Sequence, residues 1–600
     1  MKKEAATFLV AGMGDKNYYV GELLAHYDTI IYLFDSLRNA GNLSEDPAII
    51  TNTWADLEKR YGKLSVDKME QRWDSRTLTS KFLIKNLELA FKAWQSAPGY
   101  ISKDFTDFCE YVLPYRAGNE PPEEYREHYY NRYVSLCTLA KDSVEKLVKE
   151  FDLELRYNQN YRFSNILWKY PVSLPVSKIE KGRRGACRHM TVFYALIMRA
   201  CGLPIAIDYV NAWGNRSQGH DWNVLLLDSG KIYPFNALES KRISFVYKPA
   251  KIFRKRYSFI TDALPSSEDI PSYLVSSNGI DVTSQYGTVY DITVPCTYPW
   301  LGEQKKQYAV ICVFDNMAWK PVYWGKIENN NIYFQRMMGD VCYLAAYYDK
   351  GKIIPASDPF ILQQNGKIAY PNTQKRNINM TLKRKYPRFQ RMEQHALTIR
   401  RSKVFGANDK SFLYPTLLFD IMRTPVDIVD SLVSMPKAFR YVKIEPAVYR
   451  TGNFAEIEFF GKRSINEPEQ KLIGKLFGFP ALSGANEHPY TYAMDGDYET
   501  YFSKGKNEEG YVAVDFGSPY YITKVRFCPR SDTNFIIPGN TYELCYWDGG
   551  IWKSAGSKVA ADIVIQFENI PAGTFYILHN LTKGTEERIF TYENNEQIWW

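Results

Sequence analysis

The sequence predicts a multidomain chain: an α-helical region over 1–155, an α+β core over 156–265, and three all-β sandwiches over 266–372, 373–468 and 469–600. Three observations lead there. Six hundred residues exceed what one hydrophobic core supports. Apolar positions recur at three and four residues in the first quarter. From about residue 266 the pattern changes to short alternating strands separated by regular turn signals.

In the helical region, Leu83, Leu87, Ala90, Phe91 and Trp94 fall on one helix face, with Thr79 and Ser80 as caps. Leu136, Leu139, Ala140, Val144, Leu147, Val148 and Phe151 repeat the spacing, and Pro114 stops a helix. No chemistry-bearing cluster stands out here, so the region reads as a layer packed on the core. In the core, Met190 to Ala200 reads as a buried helix closed by Cys201-Gly202-Leu203-Pro204. Ile205 to Val210 reads as a strand, and His220 to Asp228 with Lys231 to Phe235 as a hairpin. Among the later strands are Tyr308–Phe314, Trp319–Trp324, Val341–Tyr348, Arg440–Ile444 and Ala455–Gly461, with Leu382 to Tyr386 as a basic linker.

The net charge of +8 is small beside 75 basic and 67 acidic residues, and no long basic run is present, so nucleic acid is not an expected partner. No stretch approaches the ~20 apolar residues of a membrane helix. The N-terminal apolar run is short and carries Glu4, so it is not read as a signal peptide. The nine cysteines are scattered without CxxC spacing, against a zinc ribbon. A bridge between Cys528 and Cys545 stays open.

Cys187 sits where a glycine-containing turn meets the buried helix. A helix N-terminus favours a thiolate, and Arg183, Arg184 and Arg188 add positive charge in sequence. Its backbone N–H is placed to donate to an oxyanion. His220, opening a strand, is the candidate base, and Asn236 or an acid the group that orients it. His189 competes as base, but it lies two residues from Cys187 on the same helix. Asp221 and Asp228 are alternative orienting groups. The plain alternative is a buried structural cysteine with a structural histidine.

Four segments carry a resemblance: Gly185-Ala186-Cys187, Ala195 to Pro204, Gly219-His220-Asp221-Trp222-Asn223-Val224, and Tyr233-Pro234-Phe235-Asn236. Over roughly a hundred residues they resemble the core of the transglutaminase-like superfamily. That implies a papain-like α+β fold with Cys187 as nucleophile, His220 as base and Asn236 as orienting residue, where the family usually has aspartate. It implies acyl transfer through a thioester, without a cofactor, on a peptide or glycoprotein substrate. Hydrolysis and amine transfer both remain open, as does a non-catalytic scaffold with a relic core.

Ala493 to Phe502 and Val512 to Gly517 resemble the discoidin (F5/8 type C) family, a galactose-binding-like jelly roll. Residues 373–468, which end in a similar strand, then read as a divergent relative. The resemblance implies a glycan ligand, a secreted, periplasmic or cell-surface location, and a structural calcium at Asp495, Asp497 and Thr500, with Glu593 as a further ligand. Clustered oxygen ligands suit calcium; a turn whose Asp and Thr cap backbone groups is the alternative. Tyr490, Tyr492, Trp547, Trp552 and Trp599 are candidates for stacking on sugar rings.

Overall fold

The computed structural model describes all residues except 44–45, 260–267, 276–278, 372–373, 435, 483–487 and 585. The chain is multidomain and divides into two units, Met1–Tyr370 and Pro371–Trp600. The first is helical and α+β in its first part; antiparallel sheets dominate the rest of the chain.

In the first unit, the helix with the predicted stripe runs Ser80–Gln95. Thr79 caps it by accepting from Phe82 N–H at 3.2 Å. It buries Leu87, Ala90, Phe91 and Trp94. The second stripe is divided between Arg126–Leu139 and Val144–Asp152. The break falls after Ala140, and Ser143 caps the second helix through Lys146 N–H. The last two helices and Glu22–Asn39 share one apolar cluster with the helix Cys187–Ala200: Ile30, Phe34, Tyr129 and Phe151 pack with Phe193, Leu196 and Ile197, whereas Ser80–Gln95 packs in a second cluster with Leu9, Phe108 and Leu113.

Arg126, 2% exposed, locks this packing. Its guanidinium donates to the carbonyls of Val112, Leu113, Pro114 and Arg199 and to Asn86 Oδ1. A buried cation is tolerable only when its donors are met in this way. Gly202 ends the Cys187 helix at φ +78°, and a Cβ there would lie 2.2 Å from the Ala93 carbonyl carbon. Only glycine lets the two helices approach so closely.

Against the Cys187 helix lies a five-stranded antiparallel sheet. Its order is Ile232–Phe235, His220–Leu226, Ile205–Val210, Phe253–Lys255, Gly279–Asp281. The last strand lies beyond residue 265, the expected end of the core. Tyr286 also belongs to it: its hydroxyl donates to Asp208 Oδ2 and accepts from Trp222 Nε1–H. Asp208 is fully buried and held by a bidentate bond from Arg254. The expected domain edge at 265/266 is therefore misplaced, because the sheet takes its edge strand from further along the chain.

The next eight-stranded sheet runs from Val289–Pro295 to Ile368–Ala369, with Tyr308–Asp315, Ala318–Glu328 and Val341–Asp349 near the predicted places. Its core includes Ala212 and Ala250 from the α+β part.

In the second unit the expected boundary between 373–468 and 469–600 is also crossed. Strand Tyr511–Pro529 pairs through Val512–Asp515 with Phe439–Glu445, and through Tyr521–Pro529 with Phe454–Lys462. Gln374–Leu382 pairs with Ile565–Ala572, nearly two hundred residues on. Local patterning shows strands and not their partners, so two sandwiches in series were expected where the pairing interleaves them. Two cores result. One gathers Val404, Phe439, Phe454, Val514 and Phe527; the other Met380, Tyr542, Phe567, Leu578 and Phe590.

The basic stretch Leu382–Tyr386 is not a linker. Arg384 is buried between Asp427 and Asp532, and Lys385 Nζ reaches Asn534 Oδ1 at 2.8 Å. It is an internal joint of this unit.

Candidate active site

The local chain path explains the placement of Cys187. Ala186 N–H donates to His189 Nδ1 at 3.2 Å, and His189 Nε2–H donates to the Val172 carbonyl at 3.2 Å. This fixes the neutral tautomer, and burial lowers the ring's pKa to about 3. His189 is therefore a fastening of the helix entry and not the base. Cys187 follows as the first helical residue.

The helix is registered on the His220 strand by two polar clasps. Thr191 Oγ1 lies 2.9 Å from the Cys187 carbonyl and 3.3 Å from that of Asp221, sharing its proton between them. Asn223 Nδ2 donates to the Thr191 carbonyl at 2.9 Å.

His220 opens its strand, paired with Val210. The preceding Gly219 has no room for a side chain, since a Cβ would sit 2.4 Å from the Val210 carbonyl oxygen. The imidazole clusters with two indoles, 6.1 Å from Trp213 and 6.0 Å from Trp222, each inclined to it by 29°, the indoles themselves being 6.3 Å apart. Asn236 follows the strand Ile232–Phe235, and its Oδ1 is 2.9 Å from His220 Nε2. Asn236 Nδ2 donates to Glu239 Oε2 at 3.0 Å. A carboxylate accepts only, so Glu239 turns the amide oxygen toward the ring. Nε2 then carries the proton, leaving Nδ1 as the basic nitrogen.

Cys187, His220 and Asn236 line one cavity of about 270 Å³, walled by Trp168, Trp213, Phe245 and Tyr247. The Cys187 thiol is pushed up to about 12. Burial is the largest cause and the Asp221 charge the next; backbone N–H groups of Arg188 and Asp221 and the Arg188 charge pull it down. The helix N-terminus therefore does not leave a free thiolate, as the sequence suggested, because desolvation outweighs it.

The arginines contribute less than expected. Arg183 and Arg184 donate to backbone carbonyls of Gln159 and Asn160. Arg188 donates to the Trp168 and Tyr170 carbonyls and stacks over Trp168. Asp221 pairs with Lys255 at 3.4 Å, and Asp228 is an exposed turn residue at the far end of the hairpin. Neither serves His220.

Sequence reasoning missed Glu239, Trp213 and Gln218. Only the Asn236-to-Glu239 spacing, compatible with a tight turn, gave a local signal for any of them. Gln218 is held at φ +74° by its N–H bond to Asp315 Oδ1 at 2.7 Å, from the neighbouring sheet.

None of the nine cysteines forms a disulfide, Cys528 and Cys545 included, and all but Cys187 are buried.

In the second unit, Asp495, Asp497 and Thr500 share one turn. Thr500 Oγ1 is 2.9 Å from Asp495 Oδ2, Asp497 N–H donates to Asp495 Oδ1, and Lys583 Nζ is 3.4 Å from Asp497. Their acceptors are already engaged. Glu593 lines a different cavity and accepts from Thr591. The carboxylate at this turn is Glu456, which accepts from Gly496 N–H at 3.0 Å. Among the described residues no group of three acidic, histidine or cysteine side chains is arranged to hold a metal. Glu593 thus lies away from the other three expected ligands, Asp495, Asp497 and Thr500, which the turn brings together.

Trp547 is buried edge-on to half-buried Trp552, and half-buried Trp599 packs on Phe590. Tyr490 and Tyr492 lie on one short helical turn, Tyr490 against the core. Among the described residues no helix is long and apolar enough to cross a membrane.

The chain matches no protein-family model and no curated protein.

Proposed function

We propose that the chain is a transglutaminase-like cysteine hydrolase acting on a peptide or amide bond. The observation that carries this reading is the His220–Asn236 hydrogen bond in the cavity lined by Cys187. Cys187 Sγ attacks the acyl carbon as its proton passes to His220 Nδ1. The C–N bond then breaks, the amine leaves with that proton, and a thioester remains. Water, deprotonated by the same nitrogen, releases the acid and restores the thiol. An amine in place of water gives transfer. Asn236 holds the ring and its cationic form throughout, with Glu239 behind it.

A second reading, a non-catalytic scaffold with a relic core, is favoured by the Cys187 thiol being pushed up to about 12. A thiol-reactive probe at neutral pH separates the two. Labelling of Cys187 that depends on His220 supports the hydrolase; an inert Cys187 in folded protein refutes it. Product analysis with and without added amine separates hydrolysis from transfer. The second unit as a glycan-binding module rests on the resemblance over 493–517, and a glycan array tests it.

A further inference from the structure

A second cavity of the first unit, about 320 Å³, is lined by Lys16, Arg116, Lys255 and Arg256, with Asp15 and Tyr209. Four cationic side chains thus face one lining carboxylate. Further carboxylates stand just outside the lining: fully buried Asp74 behind Arg116, Asp221 behind Lys255, and buried Glu120 and Glu110, which accept from the backbone N–H groups of Ala117 and Gly118 and of Tyr257.

The four cations are held to different degrees. Arg116 is fixed by Asp74 and by the Asn17 carbonyl at 2.7 Å. Lys16 is tied to the Gly12 carbonyl, to the Tyr257 carbonyl at 3.0 Å and to Asp15 at 3.4 Å, which engages all three of its donors. Burial nevertheless lowers its pKa, so Lys16 adds positive field to the cavity and no spare donor. Lys255 has Asp221 at a loose 3.4 Å. Arg256 has no ion-pair partner among the described residues, and its Nε is buried without an acceptor.

We infer that this cavity binds a small oxyanionic ligand, a phosphate, sulfate or carboxylate group, with Arg256 and Lys255 as its principal contacts and Arg116 and Lys16 fixing the field behind them. A guanidinium presents its donors as a planar fork matched to an oxyanion, and an ammonium supplies a mobile point charge. Converging cations on low-dielectric walls concentrate potential at the cavity. The size suits a small molecule or one end group of a polymer. Tyr209 walls the same space. The inference does not depend on the reading of Cys187.

The test is titration calorimetry of the full chain with sodium phosphate, sodium sulfate and sodium glucuronate, at ionic strength held constant with sodium chloride. The expected result is saturable binding, one per chain, of at least one of the three; the three arms tell which oxyanion is preferred. Arg256→Gln and Lys255→Met should each weaken binding at least tenfold. Exposed Arg400→Gln, the charge-matched control, should leave it unchanged. Melting curves establish that each variant is folded. Absence of saturable binding with all three anions overturns the inference, as does wild-type affinity in folded Arg256→Gln and Lys255→Met.

Discussion

Alanine at position 236 removes the acceptor that holds the His220 ring. In the wild type that bond is 2.9 Å long, and Glu239 fixes its direction. When the thiol's proton moves to Nδ1, the ring becomes a cation and the bond to Asn236 becomes charge-assisted. Such bonds contribute ~1.5–3 kcal/mol net. The pair is only part-buried, which places the loss near ~1.5 kcal/mol, or roughly tenfold in rate. The assay is the second-order rate constant for alkylation of Cys187 by iodoacetamide at pH 7, read by mass spectrometry of the Cys187 peptide. Asn236→Ala should lower it about tenfold. Asn236→Asp should hold it within a few-fold of wild type or raise it, because a carboxylate accepts the same bond and favours the cation. His220→Ala removes the base itself. It leaves a thiol pushed up to about 12, of which about one in 10⁵ is ionised at pH 7, so the rate should fall ~10²–10⁴-fold. An Asn236→Ala protein that melts like the wild type and alkylates at the wild-type rate across pH 6 to 9 would refute the assigned role of Asn236.

Further outcomes follow from the same geometry. Thr191→Val deletes the hydroxyl shared between the Cys187 and Asp221 carbonyls; it should cost about 1 kcal/mol in urea unfolding and slow Cys187 alkylation as the register loosens. Arg384→Met strands buried Asp532 in the second unit, while Asp427 keeps Arg388, and should destabilise that unit by ~3–5 kcal/mol, measured by its denaturation midpoint. Glu456 is raised to about 8, first by burial and then by the charges of Asp495 and Glu458. The folded state therefore keeps a proton that the unfolded state releases above pH ~4.5. Stability of the second unit should fall as pH rises from about 4.5 through 8, by a few kcal/mol at most, and Glu456→Gln should flatten that dependence in pH-resolved melting.

Much of the first unit was legible because its signals are local. The stripe on Ser80–Gln95, the cap at Thr79 and the Cys187 helix each follow from neighbours a few residues apart. The strand Ile205–Val210 appears with the bounds read from the sequence. His220 and Asn236 were nameable because the hairpin between them is short and regular. What escaped was set by pairing at long range. The core sheet takes Gly279–Asp281 across the expected domain edge, and Tyr511–Pro529 joins strands assigned to two sandwiches. Leu382–Tyr386 looked like a linker because three basic residues in a row resemble solvated chain; Asp427, Asp532 and Asn534, which make its burial tolerable, come 43 to 149 residues later. The thiol's high pKa was invisible for the same reason: the helix terminus is written locally, and the desolvation around it is not.

The distribution of the cysteines has a practical corollary. Eight thiols are enclosed and one, Cys187, is partly open. A reagent too large to penetrate the packed interior should attach once per native chain and nine times per unfolded one. Mass added per molecule would then count folded and unfolded chains in one spectrum. With Cys187→Ser the native baseline becomes zero, and each unit's opening can be timed separately, the first through Cys109, Cys137, Cys201, Cys296, Cys312 and Cys342, the second through Cys528 and Cys545.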